Sequence, residues 1–232
     1  MKIQMILFYV LLIVSCKDTA IDKSKQGEKN TVINEKIEPK HPFEHDDFVI
    51  TDENATPYLL WLAEKNKKNY AWIHTEYGSM KIELFEETPM HRANFINLVE
   101  KNYFNTTYFH RVVKGFIIQG GNSDEIITQK HRKDIGKFLI PAEFSPKLKH
   151  HYGAVAAARS WENNPEKKSS PYEFYIIQNK NGSYHLDGEH TVFGRVINGF
   201  DVLEKIAKQP TDAAEFPLLN IEMTVNFEAN VP

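Results

Sequence analysis

The chain has 232 residues, 41% of them hydrophobic, 12% aromatic and 25% charged, enough for one sizeable core and a flexible arm. Its net charge of −3, from 28 basic and 31 acidic residues, argues against a nucleic-acid partner, because a phosphate-binding surface carries a strong basic excess. A single cysteine excludes an intramolecular disulfide and paired-cysteine redox chemistry.

The N-terminus reads MKIQMILFYVLLIVSC. Lys2 supplies a positive start, Met5 to Val14 are unbroken apolar sequence, and small Ser15 precedes Cys16. The run is short for a permanent span and suits the apolar part of a signal peptide. Its end, Ile13-Val14-Ser15-Cys16, resembles the bacterial lipobox. That resemblance implies cleavage before Cys16, lipid on its thiol, and anchoring in the cell envelope, in the periplasm or on the outer-membrane face. The plainer alternative is a secretion signal with a chance cysteine. Several acyl chains would anchor stably where a single short one would not.

Residues 17–47 are dense in Lys, Glu, Asp and Asn without sustained periodicity. Such a segment cannot bury enough surface to offset its chain entropy, so residues 16–47 read as a lipidated cysteine with a disordered tether, and 48–232 as the folded part. Thr56-Pro57 resembles a helix cap followed by proline, opening a short helix through YLLWLA. Ala71–Glu76 and Met80–Phe85 flank a turn at Gly78 and read as a strand pair, with Met80, Ile82 and Leu84 alternating against Lys81 and Glu83. A second helix opens at Thr88-Pro89 and runs to about Lys101. Short β segments follow at Tyr108–Val113, Phe116–Gln119, Ala154–Ala158, Phe174–Gln178, Thr191–Val196 and Ile221–Phe227, with one more helix over Phe200–Lys208. Many short strands with two or three helices predict a mainly β fold, a closed barrel with helical caps.

Within this pattern lies FHRVVKGFIIQGGN, residues 109–122. It resembles the signature of the cyclophilins, and further matches follow in the family's order: GAVAAAR at 153–159, PYEFYIIQ at 171–178, and HLDGEHTVFGRV at 185–196. The resemblance covers roughly residues 72–228. It implies a closed eight-stranded antiparallel barrel capped by two helices, here with a short extra N-terminal helix, no cofactor or metal, and a substrate groove on the barrel's outer face. The implied activity is peptidyl-prolyl cis–trans isomerisation assisting the folding of exported proteins. The expected partners are proline-containing unfolded polypeptides, and the membrane through Cys16, with no nucleic acid and a monomeric chain.

The residue types suit that chemistry. Rotation about an X–Pro bond is opposed by amide resonance, with a barrier of about 18–20 kcal/mol, and takes tens to hundreds of seconds uncatalysed. No nucleophile or metal is needed. What helps is a held proline ring and a fixed donor aimed at the nitrogen as it regains its lone pair. Arginine, permanently charged with a rigid planar fork, suits that role. By resemblance, Arg111 is the catalytic arginine, and Gln119 positions it and binds substrate backbone. Phe116, Ile117, Tyr175, Leu186 and His190 form the proline pocket, and Ala158, Arg159, Glu173 and His185 complete the groove. Singly, each apolar residue would read as core and Arg111 as a surface salt-bridge former.

Several positions depart from the family's usual residues. Glu173 replaces glutamine, Arg159 asparagine, Tyr175 phenylalanine, Ile117 methionine and His185 tryptophan. Opposite charges at Arg159 and Glu173 suggest a compensating pair at the groove edge. A competing reading is a proline-peptide-binding holdase with little turnover, which loss of the arginine would favour. Ten histidines invite a metal site, but only His150-His151 are adjacent and no HExxH spacing occurs.

Overall fold

The computed structural model describes residues 41–45 and 48–227. The expected signal segment, Cys16 and most of the expected tether lie outside the described residues. In chain order the elements are β1 (Ile50–Thr51), α1 (Ala55–Lys65), β2 (Tyr70–Thr75), β3 (Gly78–Leu84), α2 (Pro89–Glu100), β4 (Arg111–Val113), β5 (Ile117–Gly120), α3 (Ile126–Ile135), β6 (Gly136–Lys137), β7 (Ala154–Ala157), β8 (Phe174–Ile177), β9 (Val192–Asn198), α4 (Phe200–Ile206) and β10 (Thr224–Asn226).

Eight strands form one antiparallel sheet in the order β10-β2-β3-β9-β7-β8-β5-β4. The sheet curls into a half-barrel, and no ladder joins its edge strands β10 and β4, so the expected closed barrel needs correction. The chain segments preceding those two strands meet instead at an isolated bridge, Tyr108 to Glu222. There Phe109 N–H donates to the Ile221 carbonyl at 2.9 Å and Met223 N–H to the Thr107 carbonyl at 3.3 Å. Each edge strand is three residues long and is laddered on one side only, β10 to β2 and β4 to β5.

Strand alternation places Met80, Ile82 and Leu84 inside, all essentially inaccessible to solvent, as a period of two requires. The helix α2 covers this interior and is buried from His91 through Val99. Its N-terminus is capped by the Glu143 carboxylate, which accepts from Met90 N at 3.0 Å, His91 N at 2.9 Å and His91 Nδ1 at 2.6 Å. A carboxylate there satisfies orphan donors and complements the helix dipole. Arg92 reaches the C-terminal end of α1, donating to the carbonyls of Asn66 and Ala63.

Three sequence expectations shift. The helix α1 starts at Ala55 with Asn54 as its cap position, so Thr56 lies inside the first turn. Packing begins before residue 48: the Phe43 ring lies 5.2 Å from Phe48 and 5.6 Å from Tyr58, and His41 stacks on Trp61 at 5.0 Å. The helix α3 and the parallel β1–β6 pair, with Ile50 opposite Gly136, have no counterpart in the sequence reading.

Candidate active site

Register assembles the site. Arg111 on β4 is opposite Gln119 on β5, Gln119 opposite Tyr175 on β8, Tyr175 opposite Ala156 on β7, and Ala156 opposite Val192 on β9. One row across five strands therefore begins with a cation and a polar amide and continues into apolar side chains. Alternation sends Ile118, Val155, Phe174 and Ile176 into the main core. It sends Ile117, Ala154, Ala156, Tyr175 and Ile177 to the outer face, where they cluster with Leu186 and Val192. Phe116 and Ala158 border this second cluster. The β4–β5 turn is held where Gly115 N donates to Gln178 Oε1 at 2.6 Å. Beyond β5, Gly121 has φ +92, and a Cβ there would lie 2.2 Å from the Tyr172 carbonyl oxygen, so only glycine lets the chain leaving β5 pass this close to Tyr172 and Glu173, the residues leading into β8.

The polar end is a connected chain. Arg111 Nε donates to Glu215 Oε2 at 2.7 Å and its Nη2 lies 2.6 Å from the same oxygen, while Nη1 reaches Gln119 Oε1 at 3.4 Å. Gln119 Nε2 donates to Glu173 Oε2 at 3.0 Å. Glu173 also lies 3.6 Å from His110 Nε2 and 3.6 Å from Arg132 Nη2. Burial alone would push the Glu173 carboxyl up, but His110, Arg132 and Gln119 together hold it below its ordinary value. Because a carboxylate only accepts, Glu173 fixes the Gln119 amide with its nitrogen toward Glu173 and its oxygen toward Arg111. A cavity of about 460 Å³ opens beside this chain, lined in part by His110, Arg132, Phe216 and Pro217.

At the apolar end, Phe116 stacks on His185 with centroids 5.8 Å apart. His190 meets the Tyr175 ring edge-on at 5.4 Å, and Trp161 packs against His190 at 5.2 Å. Burial lowers the His190 pKa to about 4, so at neutral pH the ring is uncharged, with Nδ1 donating to the Ala157 carbonyl at 3.1 Å. The Tyr175 hydroxyl meets His150 Nε2 at 3.0 Å, and His150 Nδ1 meets Asp187 Oδ1 at 2.8 Å. Since Asp187 can only accept, His150 carries its proton on Nδ1 and takes the tyrosine proton's hydrogen bond at Nε2. Burial pushes the Tyr175 hydroxyl up and lowers His150 despite the facing carboxylate. No group of three or more His, Cys, Asp or Glu side chains among the described residues is arranged to hold a metal.

Residues 70–226 match the family model described as cyclophilin type peptidyl-prolyl cis-trans isomerase/CLD. The chain belongs to this family. A Dictyostelium discoideum protein, peptidyl-prolyl cis-trans isomerase-like 3, is 37% identical over 161 residues, covering 68% of this cyclophilin and 94% of the relative. A Rhizopus delemar protein, peptidyl-prolyl cis-trans isomerase-like 2, is 39% identical over 158 residues, but that match spans 28% of the relative's length. Among solved structures, a cyclophilin-type isomerase of Cryptosporidium parvum, crystallised in the presence of the dipeptide Ala-Pro, matches with TM-score 0.58 and 28% identity. That match covers 69% of this chain and 99% of the other. A cyclophilin from Hirschia baltica, at 20% identity and TM-score 0.54, shares the fold.

The structure brings Arg111, Gln119 and Glu173 together at the polar end of the cross-strand row, and Phe116, Ile117, Tyr175, Leu186 and His190 at the apolar end. It does not pair Arg159 with Glu173. Arg159 Nη2 lies 2.8 Å from Glu189 Oε2, Nε donates to the Glu189 carbonyl at 2.6 Å, and the guanidinium covers the Trp161 ring at 4.1 Å. The expected compensating pair is therefore absent, because each charge meets a nearer partner of its own. Sequence reasoning missed Glu215, Arg132, His150, Asp187 and Trp161. Glu215 stands 104 positions from Arg111 in a loop with no motif, and Arg132 lies in a polar helix with almost no buried stripe.

Proposed function

We propose that this cyclophilin binds an X–Pro segment with the proline ring against Phe116, Ile117, Tyr175, Leu186 and His190, and that Arg111 drives the rotation. Ala158, Arg159, Glu173 and His185 would border the substrate chain. As the C–N bond twists, the prolyl nitrogen regains its lone pair and becomes an acceptor that the planar ground state lacks. A guanidinium N–H aimed at that nitrogen then stabilises the twisted state more than the bound substrate, which is the condition for raising turnover. Gln119 holds Nη1 and, turned by Glu173, offers its own geometry to the substrate backbone. The observation that carries this reading is the single cross-strand row in which Arg111 and Gln119 continue into an outward apolar wall. The Ala-Pro dipeptide in the Cryptosporidium structure supports the same ligand class.

The test is kcat and KM by exchange NMR on an X–Pro peptide. Arg111→Ala should cut turnover by roughly tenfold to a hundredfold, matching a charge-assisted hydrogen bond of about 1.5–3 kcal/mol, while KM moves much less. Arg111→Lys should restore little, since a point charge cannot reproduce the fork. Turnover near wild type in Arg111→Ala would leave the groove as a proline-peptide holdase.

The apolar run ending in Ile13-Val14-Ser15-Cys16 supports export and lipid anchoring at Cys16, which would make exported polypeptides the clients and the cell envelope the site of action. Mass spectrometry of membrane-extracted protein should find the first 15 residues removed and an acyl mass on Cys16. An intact N-terminus would refute that placement.

A further inference from the structure

We propose that Glu215 is a positioning residue for the isomerisation: its carboxylate clamps one edge of the Arg111 guanidinium and thereby aims the remaining donors into the groove. The inference rests on the catalytic reading of Arg111. A guanidinium carries five N–H donors in a fixed plane. Glu215 Oε2 takes Nε–H at 2.7 Å and forms an ion pair with Nη2 at 2.6 Å, and Gln119 Oε1 faces one hydrogen of Nη1 at 3.4 Å. Among the described residues no hydrogen bond takes the other three hydrogens, one on Nη1 and two on Nη2. Those are the donors left for a substrate carbonyl and a twisting prolyl nitrogen.

The loop that presents Glu215 is built for the purpose. Asp212 Oδ1 accepts from Ala214 N and Phe216 N, each at 2.9 Å. Asp212 N donates to the Phe216 carbonyl at 2.9 Å, Glu215 N donates to the Asp212 carbonyl at 3.1 Å, and Thr211 bridges Pro217. The Glu215 carbonyl in turn accepts from Val112 N at 2.9 Å. Main chain and side chain of one residue are thus tied to consecutive positions of β4, Val112 and Arg111. Glu215 pays for this with a left-handed backbone, φ +69, a conformation glycine adopts freely and a glutamate adopts at a steric cost. Stability alone would favour glycine there, and the glutamate side chain is what the strained position supplies.

A long side chain on a three-residue edge strand would otherwise sample several rotamers, and a donor displaced by an ångström loses much of its effect on the rotating state. Glu215→Gly relieves the strained backbone and removes the clamp. It should leave the melting temperature within a few degrees of wild type while kcat falls about tenfold and KM stays within about twofold. Glu215→Gln, which keeps one acceptor oxygen, should hold kcat within about threefold of wild type. In an Arg111→Ala background Glu215→Gly should have no further effect on kcat. The direct signature is the Arg111 Nε–H cross-peak in ¹H–¹⁵N spectra of the full chain, slowly exchanging in wild type and broadened in Glu215→Gly. A wild-type kcat in Glu215→Gly, a kcat that rises because the carboxylate was damping the arginine's charge, or an unchanged Nε–H signal would each overturn the proposal. Absence of isomerisation in the wild-type chain would instead defeat the catalytic reading, and the Nε–H signal would still report whether the clamp forms.

Discussion

Tyr175→Phe removes one hydroxyl from the outer-face apolar cluster and nothing else. The tyrosine is 3% exposed, His150 is fully buried, and the hydroxyl is the partner of His150 Nε2 at 3.0 Å. Deleting it keeps the ring that a proline would pack against but leaves a buried acceptor without a donor. The vacated space is smaller than a water molecule's share of liquid volume, about 30 Å³, so solvent does not replace the lost donor. An unsatisfied buried group of this kind costs about 1–3 kcal/mol, which for a domain of this size is a melting-temperature drop on the order of 5 °C. Urea unfolding at pH 7 should show a lower midpoint with an unchanged slope, and the KM of an X–Pro peptide should stay within about twofold of wild type. The double variant Tyr175→Phe/His150→Leu should be more stable than the sum of the two single losses, since neither polar partner is then stranded. Equal stability of Tyr175→Phe and wild type, together with additive behaviour in that cycle, would refute the buried hydrogen bond.

Two further outcomes concern pH and the polar end of the groove. The folded-state pKa of His190, about 4, lies below the ordinary value of 6.5, so between these values the unfolded chain binds a proton that the folded chain refuses. Its contribution is complete above about pH 6.5 and is lost on acidification toward pH 4, by at most roughly 3 kcal/mol; a His190→Phe variant whose stability falls as steeply over that range would contradict this. Glu173 follows the same linkage sign in a lower window: its carboxyl is held below 4.5, so its stabilisation is present above about pH 4.5 and is lost as pH falls through the lower folded value. Glu173→Gln should therefore lose about 1–2 kcal/mol at neutral pH and show a shallower acid limb in the same denaturation series.

What the sequence makes legible is what period and motif control. Met80, Ile82 and Leu84 alternate visibly, Thr88-Pro89 marks the start of α2, and the 109–122 stretch carries Arg111 and Gln119 in the order the register later aligns. The helix α3 escapes because it has almost no inward stripe: Thr128 and Ile135 are its buried residues, while Ile126 is 86% exposed, so no period of 3.6 can be read from it. The two-residue strands β1 and β6 are too short to show any period. The polar departures from the family pattern fail differently. Arg159 and Glu173 looked like partners because both had changed, yet a charge that is taken out of water needs a counter-group within hydrogen-bonding reach, and that group is chosen by tertiary neighbours. Arg159 finds Glu189 and Trp161, Glu173 finds His110 and Arg132, and Tyr175 finds His150 backed by Asp187. The hydrogen-bond and ion-pair partners of Arg159, Glu173 and Tyr175 all lie outside the substituted positions. The groove's apolar wall is thus written in strand periodicity, whereas its electrostatics depend on loops such as the one carrying Glu215. That division explains why the reaction could be read from one sequence while the partner that aims its arginine could not.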